Sequence, residues 1–297
     1  MDPLALKIRG NLHKFRQQTQ AQYLKEWKII QVVNLLAALI LMLVALFPAL
    51  WPVRHAVQVL IYAPLLIITS LFFYLKHAEN HLVQLTLLGM IFTLLSLAAA
   101  FLHPDNLQAP SWLALLIPVV SLPILYNLFK ESPHQSRRYS LRPLNWGINI
   151  AAGLLIGTIA AAHEYLILKF IPDINLSMLS ISFRQAAWLI GVLAGLVVPA
   201  EELFFRGTAF SIYHDDLNHS FNQSLGQVGF FSMVMAIGFG MSNISSQIWL
   251  PVLAVTVLYK MVLALINLFM VERWRNIWAS GAMTLVFYLL IGRVFFL

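Results

Sequence analysis

Residues 186–207 read AAWLIGVLAGLVVPAEELFFRG. The first thirteen, 186–198, are apolar or small and suit a segment that crosses hydrocarbon. The last nine, 199–207, bring Glu201, Glu202 and Arg206 into the same run. A charge at the bilayer centre costs roughly 2.5–3.5 kcal/mol on insertion scales, so ionisable residues there mark candidate functional positions. Glu202 and Arg206 are four apart, share one face of a helix and can pair directly. Glu201 points about 100° away, the turn per residue at a period of 3.6, and needs a partner from another element.

The rest of the chain is of the same kind. Of its 297 residues 60% are hydrophobic and 10% charged, and the mean hydropathy is +0.79. Soluble domains carry about a quarter charged residues. The fold class expected is all-α, a polytopic transmembrane helix bundle. Apolar runs long enough to cross about 30 Å of hydrocarbon lie near 29–50, 57–75, 82–102, 111–129, 148–171, 185–210, 225–243, 248–270 and 277–296, which makes nine spans. The polar leader, residues 1–28, is longer than the basic start of a signal peptide, so no cleavable signal is expected. Cysteine is absent, which removes disulfides and thiolate metal sites.

The basic residues orient the bundle. With the N-terminus cytoplasmic, the inner side holds Lys7, Arg9, Lys14, Arg16, Lys25, Lys28, Lys76, Lys130, Arg137, Arg138, Arg142, Arg206, Arg273 and Arg275. The outer side holds only Arg54, Lys169, Arg184 and Arg293, and Lys260 lies within a span. That asymmetry follows the positive-inside rule. The net charge of +7 is thus an orienting feature, and no nucleic-acid partner is expected. The partners expected are the lipid bilayer and a membrane-protein or peptide partner, and a prokaryotic inner (plasma) membrane is the simplest location.

Three regions follow. Residues 1–28 form a basic segment in which Ile8, Leu12, Phe15, Tyr23 and Trp27 recur at mostly three- and four-residue spacing. That pattern fits a helix lying in the interface or a plain basic leader. Residues 29–147 hold four helices with almost no ionisable group inside their apolar runs. Residues 148–297 hold the deep charges Glu164, Glu201, Glu202, Arg206 and Lys260, three carboxylates against two cations. Chemistry is expected there. Glu164 and Lys260 are expected to form a structural ion pair between helices, and Glu202 and Arg206 either a structural pair or part of a reaction centre.

The segment EELFFRG resembles the first motif, E-E-x-x-x-R, of the CAAX protease and bacteriocin-processing (CPBP, or Abi) family of intramembrane proteases. Pro199, Phe205 and Gly207 fit the surroundings of that motif, and the resemblance covers residues 148–297. It implies a helix bundle in which Glu201 activates water for attack on a peptide bond near the membrane, with Glu202 and Arg206 in support. Two later motifs, F-x-x-x-H and H-x-x-x-N, would supply histidines and an asparagine for a metal or an oxyanion. Some members clip prenylated CAAX tails, whereas others act on different substrates or in bacteriocin self-protection.

Both motif histidines are replaced here. In FGMSN, Phe239 is in place and Asn243 stands at the histidine position. A rival match, Phe210 to His214, falls only eight residues after Arg206 and is expected to continue the same helix or its cytoplasmic end. The third motif aligns to ERWRNIWASGAMTLVFYLL, with Thr284 for the histidine and Tyr288 for the asparagine; another register keeps Asn267 and sets Leu263 at the histidine. Catalytic zinc takes about three protein ligands, usually imidazole and carboxylate, plus an open water position. No cofactor is therefore expected, zinc entering only if His163 or Glu164 substitutes for the missing ligands. HEYLI at 163–167 is not H-E-x-x-H.

Three readings remain. The first is a pseudoprotease that binds or scaffolds membrane partners. The second is an active endopeptidase with Glu201 as general base and Asn243 as oxyanion donor, an arrangement that needs no metal. The third is a small transporter with Glu164, Glu201 and Lys260 along a charged pathway. The catalytic candidates carried forward are Glu201, Glu202, Arg206 and Asn243. A scaffold requires Glu201 to pair inward, whereas an enzyme requires polar groups converging on one water or metal position.

Overall fold

The computed structural model describes residues 21–22, 24–40, 43, 54–75, 80–104, 106–131, 145–170, 182–217, 219–241, 249–274 and 276–291. Among them the chain is helical throughout, with no strand. Nine helices are present among the described residues: α1 (24–40), α2 (Arg54–Leu75), α3 (His81–Phe101), α4 (Leu116–Glu131), α5 (Trp146–Lys169), α6 (Phe183–His214), α7 (Phe221–Met241), α8 (Trp249–Trp274) and α9 (Ile277–Ile291). Each falls on one of the nine apolar runs. Three of them, α3, α5 and α6, are long and apolar enough to cross a membrane by length and composition, and shorter apolar helices accompany them. Most of the basic N-terminal segment, the second half of the first run and Asn243 lie outside the described residues.

Helix α6 is the axis of the molecule. In its most apolar 18-residue window 83% of residues are buried, against 17% in α3 and 22% in α5. The outer helices turn large apolar side chains outward: Leu82, Leu87, Leu94 and Phe101 on α3, Ile148 and Leu155 on α5. An apolar exterior around a buried polar centre is what hydrocarbon selects, since lipid tails solvate Leu and Phe but not a carboxylate.

Local sequence shapes α6. A capping box starts it: Ser182 Oγ accepts from Gln185 N, and Gln185 Oε1 accepts from Ser182 N at 3.0 Å. Pro199 brings no N–H and crowds the carbonyl one turn earlier. The preceding segment, Leu193–Val197, is wound as a π-helix. A second π segment, Glu202–Ala209, carries most of the charged motif and is buried along its whole length. π turns inside α-helices often mark functional positions, because the wider winding re-aims side chains.

Close helix contacts lock this axis. Gly153 and Gly157 of α5 lie against the backbone of α9, and a Cβ at Gly157 would run into the carbonyl oxygen of Met283. Small residues four apart allow this approach, the usual device where no hydrophobic force separates helix from lipid. Near the start of α6, Arg184 donates to Ser111 Oγ at 2.9 Å and to the Ala109 carbonyl at 2.8 Å, and contacts the carbonyls of Asn106 and Leu107. Near its other end Trp27 of α1 is buried among Phe73, Phe204, Tyr213 and Phe231. Trp27 therefore packs inward.

Candidate functional site

The two adjacent glutamates of α6 face two different polar networks, as their 100° offset requires. Both are buried. Glu201 reaches three other helices. Its Oε1 accepts from Tyr62 Oη of α2 at 2.7 Å and from Tyr288 Oη of α9 at 2.8 Å, and Tyr288 Oη lies 2.9 Å from Oε2. Lys260 Nζ of α8 lies 3.9 Å from Oε1 and 4.8 Å from the centroid of the Tyr288 ring. The aromatic face thus holds the ammonium beside the carboxylate.

Glu202 turns toward α9. Ser280 Oγ lies 2.9 and 2.8 Å from its two oxygens, and Arg206 Nη1 is 3.7 Å from Oε1. Asn267 of α8 completes this network. In the amide orientation that satisfies both ends, its oxygen accepts from Thr284 Oγ1 at 2.8 Å and from Arg206 Nη2 at 2.5 Å, and its nitrogen donates to Ser280 Oγ at 2.9 Å. The expected Glu202–Arg206 contact is present and is braced from two further helices.

A small cavity of about 20 Å³ lies between the networks, lined by Tyr62, Glu201, Arg206, Ser232, Lys260, Asn267, Thr284 and Tyr288 together with Leu263, Ala264 and Phe287. A space of that order holds a water molecule and is far too small for a peptide. The oxygens of Glu201 already receive two tyrosine hydroxyls and face an ammonium. A carboxylate offers about four lone-pair sites, and a general base needs one aimed at its water within about 2.6–3.2 Å. In this state Glu201 is an internal hydrogen-bond hub.

Of the four catalytic candidates, Glu201, Glu202 and Arg206 come together, and Asn243 lies outside the described residues. Thr284 and Tyr288 both line the cavity, as do Asn267 and Leu263. The rival pair behaves as expected, with Phe210 stacked on His214 at 5.5 Å in the same helix and neither in the cavity wall.

Among the described residues no group of three or more His, Asp and Glu side chains converges in a way that could hold a metal ion. His163 is exposed on α5 and its Nδ1 bonds to the Tyr259 hydroxyl, so it does not reach the cavity; Glu164, though buried, is not part of the cavity wall either. Lys260 makes its close contact with Glu201 and interacts electrostatically with Glu164 as well, so one ammonium serves two carboxylates.

Sequence reasoning passed over Tyr62 and Ser280. Ser280, Thr284 and Tyr288 recur every four residues along α9, a polar stripe on one face of a very apolar helix, and that spacing was a usable signal. Tyr62 had none beyond its hydroxyl, two residues before the helix-interior Pro64. Through Tyr62, α2 packs on α6 and supplies a donor from the N-terminal region.

No family model, curated protein or solved structure matches the chain.

Proposed function

We propose that this chain is an integral membrane protein of nine spans with a cytoplasmic N-terminus, placed in a prokaryotic inner membrane. We read it as a CPBP-like protein whose E-E-x-x-x-R motif braces helices instead of activating water. Its role is then that of a pseudoprotease that binds or scaffolds a membrane-protein or peptide partner. The observation that carries this reading is the inward pairing of Glu201 with Tyr62, Tyr288 and Lys260, one donor from each of three other helices. The motif resemblance supports the family, and the presence of Thr284 and Tyr288 in the cavity wall supports the alignment of its third motif.

One observation favours the endopeptidase instead. The cavity beside Glu201 has room for a water and is flanked by Arg206, Asn267 and Thr284, donors suited to a developing oxyanion. The two readings part on one experiment. The protein is reconstituted in vesicles with membrane-anchored and prenylated CAAX-type peptides, beside Glu201→Gln at equal abundance. The scaffold reading expects no turnover above that variant. Cleavage that vanishes in Glu201→Gln would establish the endopeptidase.

A further inference from the structure

The outward face of α5 carries one side chain that hydrocarbon does not suit. His163 is exposed there, while Ile159 and Leu166, the exposed residues about one turn from it, are apolar. On the adjoining α8 the exposed neighbours of Tyr259, Leu258 and Val262, are apolar as well. His163 lies six residues, about 9 Å, before Lys169 at the end of α5. Side chains on a helix lean toward its N-terminus, which here is away from that nearer end. The imidazole is therefore held within the apolar layer instead of reaching for the membrane boundary.

One nitrogen of this ring is occupied and the other is not. Nδ1 bonds to the Tyr259 hydroxyl, and among the described residues that is the only hydrogen bond of either side chain. A hydroxyl that received this bond from Nδ1–H would leave its own proton without an acceptor. The arrangement that satisfies both groups has the Tyr259 O–H donating to Nδ1. A ring that accepts at Nδ1 carries its proton at Nε2, so the tautomer is assigned by the need of the hydroxyl. Nε2–H is then an outward donor, and a bilayer core contains nothing to accept from it. An N–H left unpaired in hydrocarbon is strongly disfavoured.

We infer that the α5–α8 seam around His163 is a docking face for a transmembrane helix of another protein, one that presents a side-chain oxygen to Nε2. Asp, Glu, Asn or Gln supplies such an acceptor, and the apolar residues around His163 suit the remainder of a spanning helix. Between helices in lipid, apolar side chains gain little over contact with the tails, so a hydrogen bond of this kind selects the partner. A second copy of the chain does not fit. A two-fold contact sets the same surface against itself, donor facing donor, and Ile159, Leu166, Leu258 and Val262 carry no acceptor in their side chains. The inference rests on the scaffold reading and gives it a face and the chemistry of its partner.

Two leucine-rich peptides of spanning length serve as the probe, alike except for Asn or Leu at the depth of His163. The full chain, labelled with a donor dye at Gly147→Cys, is reconstituted in phosphatidylcholine vesicles with acceptor-labelled peptide, and energy transfer reads association. The Asn peptide is expected to associate about tenfold more strongly than the Leu peptide. His163→Phe, at an exposed position, should bring the Asn peptide down to the Leu level. Equal association of the two peptides with the chain unaltered at His163 would overturn the docking face, and that comparison needs no substitution in the seam. A preference that survives in His163→Phe would overturn it too. Energy transfer between differently labelled copies of the chain, abolished by His163→Phe, would assign the face to self-association and sink the inference. Turnover of CAAX-type peptides would defeat the scaffold reading while the Asn preference stayed measurable, so the two failures are distinct.

Discussion

The hydroxyl of Tyr62 lies 2.7 Å from Oε1 of Glu201 across 139 residues of sequence. This contact joins the N-terminal helices to the charged motif and is buried at both ends. A hydrogen bond to a charged group contributes about 1.5–3 kcal/mol. Tyr62→Phe is therefore expected to lower stability by about that amount, with the ring still filling its place. Tyr288→Phe should cost a similar amount, and the double variant more than the two together, because either hydroxyl alone still partly satisfies the shared oxygen and only the double change strips both from it. Thermal unfolding in detergent micelles reads all three. A neutral Tyr62→Phe would show that α2 is held to α6 by packing alone.

Lys260 and Glu201 form a pair inside the bundle. Removing one member of such a pair leaves the other buried and uncompensated, at a cost of about 3–5 kcal/mol. Lys260→Met should lose stability of that order, because two buried carboxylates then lack its ammonium, whereas Glu201→Gln should keep the fold and lose less, since Glu164 still interacts with Lys260. In the double variant both charges are gone, and stability returns toward the wild type. A double variant as weak as the two losses combined would show that the residues do not interact.

Glu202→Ala acts on the second network. It removes the acceptor for Ser280 and the carboxylate facing Arg206, and Asn267 keeps only part of that arginine occupied. Reduced membrane abundance and a lowered unfolding temperature are expected. Ser280→Ala removes one hydroxyl from the same carboxylate and should cost less, about 1–3 kcal/mol. Equal abundance of Glu202→Ala and wild type would count against a bracing role for the pair.

How far the sequence predicted this arrangement depends on the kind of signal each residue carries. The helices were legible because an apolar run of membrane length has one stable backbone solution, and every described helix falls on such a run. The motif charges were legible because an ionisable residue in that setting stands out against its neighbours. Pairing was less so. Glu164 and Lys260 had opposite charge, yet Lys260 also meets Glu201, a contact between α6 and α8 that residue type alone does not reveal. Tyrosine in an apolar helix is ordinary, so Tyr62 and Tyr288 announced nothing by residue type. Only the four-residue spacing of Ser280, Thr284 and Tyr288 pointed to a shared face.

The α5–α9 crossing gives a packing prediction independent of charge. A side chain at Gly157 would meet the Met283 carbonyl and Cα, backbone atoms that cannot step aside. Gly157→Leu should separate the helices and abolish accumulation of folded protein, and even Gly157→Ala should lower the unfolding temperature. Gly147 offers the control, since nothing lies within 4 Å of a Cβ there. Gly147→Ala is expected to be neutral or slightly stabilising, as alanine is favoured over glycine in a helix. Equal tolerance at the two positions would contradict the close crossing.

The absence of cysteine makes the proposed orientation directly readable. A single introduced thiol is then the only one that a membrane-impermeant maleimide can label. Leu107, 84% exposed between α3 and α4, falls on the outer side in the nine-span topology with an inner N-terminus. Gly147, exposed at the start of α5, falls on the inner side. Leu107→Cys should label in intact cells, and Gly147→Cys only after permeabilisation. The reverse pattern would invert the bundle, and labelling of both from outside would remove a span between them. In either case the basic residues would be distributed against the positive-inside rule, which makes this assay the sharpest check on the topology.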